Sequence, residues 1–352
     1  MSDSPTWGHH NPVRIVCAPI ETLASHVHGQ HVLLVTTPGF VKRGVVQQIQ
    51  SILAPKQITV WDGVKPNPDL RDLDAATALL RTKGVDCVVG LGGGSALDAA
   101  KVLATTLTSP SQTTLANVFR DSASPAWAQR LPLVAISTTS GTGAEVTPFA
   151  TVWDHEHHQK HSLAGDFVYP DLALLDARLT LSLGEEDTLY PALDAISHAL
   201  ESLWNKNCTP VSAAFAYQAL ALSNDALPSV LKEPTNHAHR QALQTASVLA
   251  GLAISQTRTA IAHAISYPLT THYQVPHGLA CSFTLPNLID VCLAQKTHTL
   301  PVDLFTKTKT MLVSLDLQKH LNKYLSEREL SVASRMIALT QNVIRCSWPE
   351  RS

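Results

Sequence analysis

DCVVGLGGGSALDAAK, residues 86–101, runs an apolar β-branched stretch into three consecutive glycines and then into an alanine-rich helical pattern. Strand, glycine turn and helix in that order form one α/β unit. Gly92, Gly93 and Gly94 let the backbone approach a ligand closely, and the unpaired N–H groups of a helix start face whatever anion sits there, so a pyrophosphate is the natural guest. Ser95 and Asp98, three residues apart, read as a helix N-cap with its reciprocal partner. The spacing is not the GxGxxG fingerprint, and a glycine-rich turn without a ligand remains the alternative.

Outward from this segment, short β-branched runs alternate with helical patterns: VRIVC (13–17), HVLLVTT (31–37), QITVWDGV (57–64), LPLVAIS (131–137) and DLALLD (171–176). Such alternation predicts a parallel sheet covered on both faces. From about Leu181 the texture changes to long Ala- and Leu-rich segments with helical spacing, continuing through the pattern after residue 295. The expectation is therefore an α/β dinucleotide-binding domain over 1–183 and an all-helical domain over 184–352, with ligands gathered in the cleft between them. A second polar cluster, STTSGTGAEVTPFATVWD (137–154), follows an apolar strand with Thr138, Thr139, Ser140, Thr142 and two glycines; its hydroxyls suit ribose and phosphate. An ordinary polar loop explains it as well when it is taken alone.

The chain has 352 residues, 45% of them hydrophobic and 15% charged, with a formal net charge of -2. That balance offers no clustered basic surface for nucleic acid or an anionic membrane, so a small soluble partner fits better. Neither an N-terminal signal-like apolar stretch nor a run of about 18 apolar residues is read, which points to a cytoplasmic protein. Cys17, Cys87, Cys208, Cys281, Cys292 and Cys346 form no CxxC pair and signal neither a zinc knuckle nor a disulfide framework. The 17 histidines are more informative, because several sit in apolar helical context.

In YPALDAISHALESLWN (190–205), Asp194 and His198 are one helical turn apart on one face, among Ala and Leu. A buried aspartate and histidine are costly without a partner, and a shared cation satisfies both; an intrahelical hydrogen bond is the competing explanation. RTAIAHAISYPLTTHYQVPHGLACSFTLP (258–286) adds His263 in an apolar helix and His277 in a Pro-His-Gly turn, with His272 as a rival candidate. One carboxylate and three imidazoles suit Fe(II) or Zn(II) alike.

GGGSALDAAK, STTSGTGAEVT, LDAISHALE and AHAISYPL…VPHGLA, in this order over roughly residues 30–290, resemble the iron-containing, type III alcohol dehydrogenase family. The resemblance implies the dehydroquinate synthase-like pairing of an α/β dinucleotide-binding domain with an all-α domain. It also implies a metal held by Asp194, His198, His263 and His277, a pyrophosphate turn at Gly93–Ser95, nicotinamide-side contacts from Thr138, Thr139 and Thr142, and a cofactor-contacting Lys160. Thr37, Asn67, Gly92 and Asp98 complete the expected cofactor set, and a homodimer is the expected assembly.

Three departures from the family shape the expected chemistry. Thr37 stands where NAD-preferring members carry an acidic residue after the second strand; lacking a carboxylate to repel a 2′-phosphate, the site favours NADPH over NADH. Tyr267 replaces a histidine four residues after the third ligand and becomes, with Lys160, a candidate catalytic group; as an acid it is weaker than imidazole. Arg258, five residues before His263, suggests a bidentate grip on an anionic substrate, in which Lys160 would assist, unless it is a structural ion pair. FATVWD, SQTRTAIAHAISYPLT and PHGLACSFTLP resemble the branch of the family that reduces phosphonoacetaldehyde to 2-hydroxyethylphosphonate in phosphonate biosynthesis. The expected activity is thus metal-dependent reduction of a small anionic aldehyde. A sulfoacetaldehyde or semialdehyde reductase and a general short-chain alcohol dehydrogenase are alternatives; a metal-dependent sugar-phosphate cyclase or a non-enzymatic binding protein are more distant ones.

Overall fold

The computed structural model describes residues 6–121, 127, 129–294, 301–326 and 329. Cys346 and the end of the C-terminal helical pattern lie outside the described residues. The chain divides into two compact units: residues 11–139 with 144–180, and residues 181–352 with 1–10 and 140–143.

The first unit carries eight strands: β1 (Arg14–Cys17), β2 (His31–Val35), β3 (Gln57–Trp61), β4 (Cys87–Gly92), β5 (Leu133–Ser137), β6 (Phe149–Asp154), β7 (Gln159–Ala164) and β8 (Leu172–Leu175). Its helices are α1 (Pro38–Lys42), α2 (Val45–Leu53), α3 (Leu70–Arg81), α4 (Gly94–Thr106) and α5 (Leu115–Phe119). Six strands form one parallel sheet in the order β1-β8-β5-β4-β2-β3. Alternate residues of β2 feed different cores. Leu33 and Val35 pack with α3 and α4, while Val32 and Leu34 pack with α2, as a sheet buried on both faces requires. All six strand-like runs read from the sequence fall in this sheet.

Strands β6 and β7 form a separate antiparallel hairpin; the sequence reading leaves β6 inside its second polar cluster and assigns no strand to 159–164. Strand β7 (QKHSLA) is mostly exposed and polar, which removes the apolar alternation that reveals a strand.

The second unit is helical: α6 (Glu185–Leu203), α7 (Pro210–Lys232), α8 (His237–Thr257), α9 (Ile261–Tyr273), α10 (His277–Ser282), α11 (Leu285–Ala294), α12 (Val302–Ser314) and α13 (Leu317–Leu321). One core runs through it, from Leu189 and Leu193 of α6 to Leu312 and Leu321. One stretch, His277–Ala294, reaches by length and mean hydropathy the level of a membrane span, though His277, Thr284, Pro286, Asn287 and Asp290 interrupt it. It spans α10, a turn at 283–284 and α11, and its Leu279, Ala280, Leu285 and Ile289 belong to this core.

Candidate metal centre and dinucleotide loop

The candidate dinucleotide loop is built where β4 ends. Gly92 has φ +151°, and a Cβ there would lie 2.6 Å from Ala96 Cβ, so glycine is required for the turn into α4. The register pairs Gly92 with Ser137 of β5, and Thr138 N donates to Gly92 O at 3.0 Å. Gly93 faces the Thr139 side chain. The structure thus brings Gly92, Gly93, Gly94, Ser95, Thr138 and Thr139 together, whereas Thr142 belongs to the helical unit.

The expected capping box is not formed. Helix α4 begins at Gly94 with Gly93 as its N-cap, so Ser95 is the second helical residue, where its Oγ accepts from Asn67 N at 3.3 Å. Asp98 is partly buried and accepts from Thr151 N of β6 at 2.9 Å, tying α4 to the hairpin. Burial raises its pKa; Lys101, the Thr151 N–H and Lys160 oppose that rise. Lys101, also buried, donates to Thr147 O and Phe149 O and is brought down to about 8 by desolvation. Asn67 has a left-handed backbone (φ 55°), and its carbonyl bonds His155 Nε2. Thr37 is the N-cap of α1 without a side-chain capping bond, and no carboxylate occupies the turn after β2. Lys160 is exposed on β7, its Nζ 5.7 Å from the Trp153 ring.

The metal ligands expected from sequence converge in the helical unit. Asp194 Oδ1 lies 3.3 Å from His198 Nε2, 3.3 Å from His263 Nε2 and 3.8 Å from His277 Nε2. Ligand atoms held ~2.0–2.2 Å from one ion in a tetrahedral shell are separated by roughly such distances. Asp194, His198 and His263 are buried, and His277 is partly open. Asp194 Oδ1 and His263 Nε2 have no hydrogen-bond partner. Two facing, buried, unsatisfied donor atoms fit a cation between them.

The electrostatics agree. Burial opposes ionisation of Asp194, but His198, His277 and His263 outweigh it and hold the carboxyl well below its usual range. Burial lowers His198, keeping its imidazole neutral and able to ligate. Burial also works against a charged His263, yet Cys281, Glu201 and Asp194 raise its proton affinity well above normal, so this pocket attracts positive charge.

Close packing sets the geometry. A Cβ on Gly278 would lie 1.8 Å from Tyr190 O, so only glycine lets α10 approach α6 closely enough to bring His277 to Asp194. His272 is exposed and outside the cluster. Tyr267, one turn beyond His263, is 40% exposed. Arg258 is exposed and ends α8 with φ 63° and ψ 177°, a conformation that non-glycine residues rarely hold; Asn205 Nδ2 and Thr257 Oγ1 donate to its carbonyl.

Two residues escape the sequence reading. Cys281 sets its Sγ 3.6 Å from His277 Nε2, within a group of ligand atoms it shares with Asp194, His263 and His277. Glu201 is buried and hydrogen-bonds His263 Nδ1. The signals were present: Cys281 follows His277 by four, and Asp194, His198 and Glu201 recur at i, i+4, i+7 on one helix face. In a second group, Asp154, Glu156 and His157, the Arg120 guanidinium bridges the two carboxylates and His157 bonds Asp154.

Comparison with known proteins gives the same class. Residues 12–177 match the family described as iron-containing alcohol dehydrogenase, and residues 188–344 match the C-terminal region of the Fe-containing alcohol dehydrogenase family. The fold is shared with the crystal structure of sulfoacetaldehyde reductase from Bifidobacterium kashiwanohense in complex with NAD+, with a TM-score of 0.85 and 27% identity over 94% of this chain and 92% of that one. Phosphonoacetaldehyde reductase of Streptomyces viridochromogenes is 38% identical over 259 residues, 72% of this chain and 65% of that protein. The probable alcohol dehydrogenase EutG of Escherichia coli is 36% identical over 233 residues, 66% of this chain and 58% of that protein. The chain therefore belongs to the iron-containing alcohol dehydrogenase family. Its matched part spans about three fifths of the length of these curated relatives.

Proposed function

We propose that the chain is a metal-dependent, nicotinamide-linked reductase of a small anionic aldehyde, with phosphonoacetaldehyde as its substrate and 2-hydroxyethylphosphonate as product. The observation that carries the reading is the buried Asp194 with three imidazole nitrogens turned toward it and two donor atoms left unsatisfied. A divalent ion, Fe(II) or Zn(II), would be held by Asp194, His198, His263 and His277 and would supply Lewis acidity toward a carbonyl oxygen, while the nicotinamide supplies hydride.

The chain's own residues do the rest. Gly93, Gly94 and Ser95 offer backbone N–H groups to a pyrophosphate at the start of α4, and Thr138, Thr139, Thr142, Asn67 and Lys160 complete the cofactor contacts. Asp194 sets the charge of the metal centre. Arg258, held in a strained backbone beside the start of α9, presents its guanidinium to a phosphonate, with Lys160 as a second cation. Tyr267 or solvent delivers the proton to the product oxygen. Thr37 leaves room for a 2′-phosphate, so NADPH is the favoured donor. A cytoplasmic homodimer completes the proposal.

Sulfoacetaldehyde is the second candidate, favoured by the fold shared with a sulfoacetaldehyde reductase; its sulfonate asks the same of Arg258. The test is kcat/KM for phosphonoacetaldehyde, sulfoacetaldehyde and acetaldehyde with metal-loaded protein and NADPH. A strong preference for the phosphonate supports the proposal, whereas equal values would reduce it to a general alcohol dehydrogenase.

A further inference from the structure

Helix α9 begins without a cap of its own. Ala260 holds the N-cap position and has no side-chain acceptor to offer. The acceptor comes from α6: Glu201 Oε1 takes hydrogen bonds from Ala262 N at 2.7 Å and His263 N at 3.2 Å, while Oε2 takes one from His263 Nδ1. One fully buried carboxylate thus binds both the backbone and the ring of a single histidine.

This arrangement has a chemical consequence. Glu201 Oε2 engages Nδ1, so the ring nitrogen left facing the pocket is Nε2. Nε2 faces Asp194 Oδ1 at 3.3 Å, and both atoms are buried without a hydrogen-bond partner. Where a metal ion takes the place of the ring proton, Nε2 would present its lone pair to the ion while Nδ1 stays bonded to Glu201. The charges count the same way: among the described residues, Asp194 and Glu201 have ion-pair contacts only to histidines. Two buried negative charges match one divalent ion.

We propose that Glu201 is a positioning residue of the metal centre, orienting His263 with Nε2 toward Asp194 and supplying the second of the two negative charges that a divalent ion balances. The inference rests on the metal reading given above. It assigns Glu201 no contact with substrate or reacting atoms; Glu201 acts through His263.

The test compares Zn(II) affinity, by competition with a chromogenic chelator, in full-length wild type, E201Q, E201D and D194N, alongside melting of each protein in excess chelator. Glutamine keeps the shape and one acceptor oxygen, but it can offer an N–H to Nδ1, which turns the ring proton onto Nε2 and removes one charge. E201Q should melt close to wild type in chelator and bind Zn(II) about 10–100-fold more weakly, the range seen when such outer partners are lost. E201D, which keeps charge and acceptor character, should bind more tightly than E201Q. Equal affinity in wild type and E201Q would overturn the inference, as would E201D no better than E201Q. So would an E201Q protein whose only loss is folding in chelator, because Glu201 would then be a helix cap alone. Wild type binding Zn(II) no better than D194N would overturn the metal reading, and this inference with it.

Discussion

Asp194 Oδ1 and His263 Nε2 stand 3.3 Å apart in the helical unit, both buried and neither engaged by any other hydrogen-bonding group among the described residues. An interior built this way is incomplete as protein alone, since unsatisfied buried polar atoms cost about 1–3 kcal/mol each. The incompleteness should be visible as metal-linked stability. Saturation at about a hundredfold above Kd stabilises by ~2.7 kcal/mol, so chelation should lower the wild-type Tm by about 5–10 °C and leave the Tm of D194N nearly unchanged. Scanning calorimetry with and without chelator measures this; equal responses from both proteins would speak against the site.

The close approach of α10 to α6 makes Gly278 a sharp probe. A methyl group at this position meets Tyr190 O at 1.8 Å and must push the two helices apart. G278A should lose about 1–3 kcal/mol of stability from overpacking. It should also lose most Zn(II) binding, because His277 departs with α10. Retained affinity in a folded G278A protein would show that His277 is dispensable.

Cofactor choice turns on Thr37, an N-cap position with no capping bond of its own, where aspartate is well tolerated. T37D should therefore fold normally and place a carboxylate against a 2′-phosphate. Like charges brought together in this way cost several kcal/mol. The expected outcome is a switch of preference from NADPH to NADH, read from the two kcat/KM values. An unchanged ratio would place the ribose elsewhere.

Arg258 is the specificity test. R258K keeps the charge and loses the bidentate geometry, so kcat/KM for phosphonoacetaldehyde should fall by about tenfold to a hundredfold while acetaldehyde changes little. Equal losses on both aldehydes would make Arg258 structural.

Acid stability follows from the hairpin of the first unit. Arg120 pairs with Asp154 at 2.6 and 2.8 Å, and this pairing first, with His157 assisting, holds the Asp154 carboxyl well below its usual range despite desolvation. A folded-state pKa below the unfolded value of ~3.9 gives stability that is present above that pH and lost as pH falls through the folded pKa. R120Q should melt lower than wild type at neutral pH. The gap should narrow below about pH 4 as wild type forfeits the same interaction.

Much of this was legible in the residues. The parallel strands announce themselves because strands buried on both faces must be apolar throughout, and Asp194 with His198 stands out because a charged pair on an apolar helix face needs a reason. What stayed hidden depends on long-range packing. Strand β7 is polar on a local hairpin, so nothing apolar marks it. Ser95 and Asp98 fit a capping box by spacing, but α4 starts two residues earlier than the box requires, and Asp98 turns to Thr151 instead. Glu201 reads as an ordinary helix glutamate until α9 is folded against it, which gives it two backbone N–H groups and an imidazole.

The most direct measurement follows NADPH consumption with phosphonoacetaldehyde by chelator-treated full-length protein before and after addition of Fe(II) or Zn(II), with D194N in parallel. The account predicts turnover only after metal is restored, and none in D194N. Undiminished turnover in the metal-stripped protein, or in D194N, would contradict it.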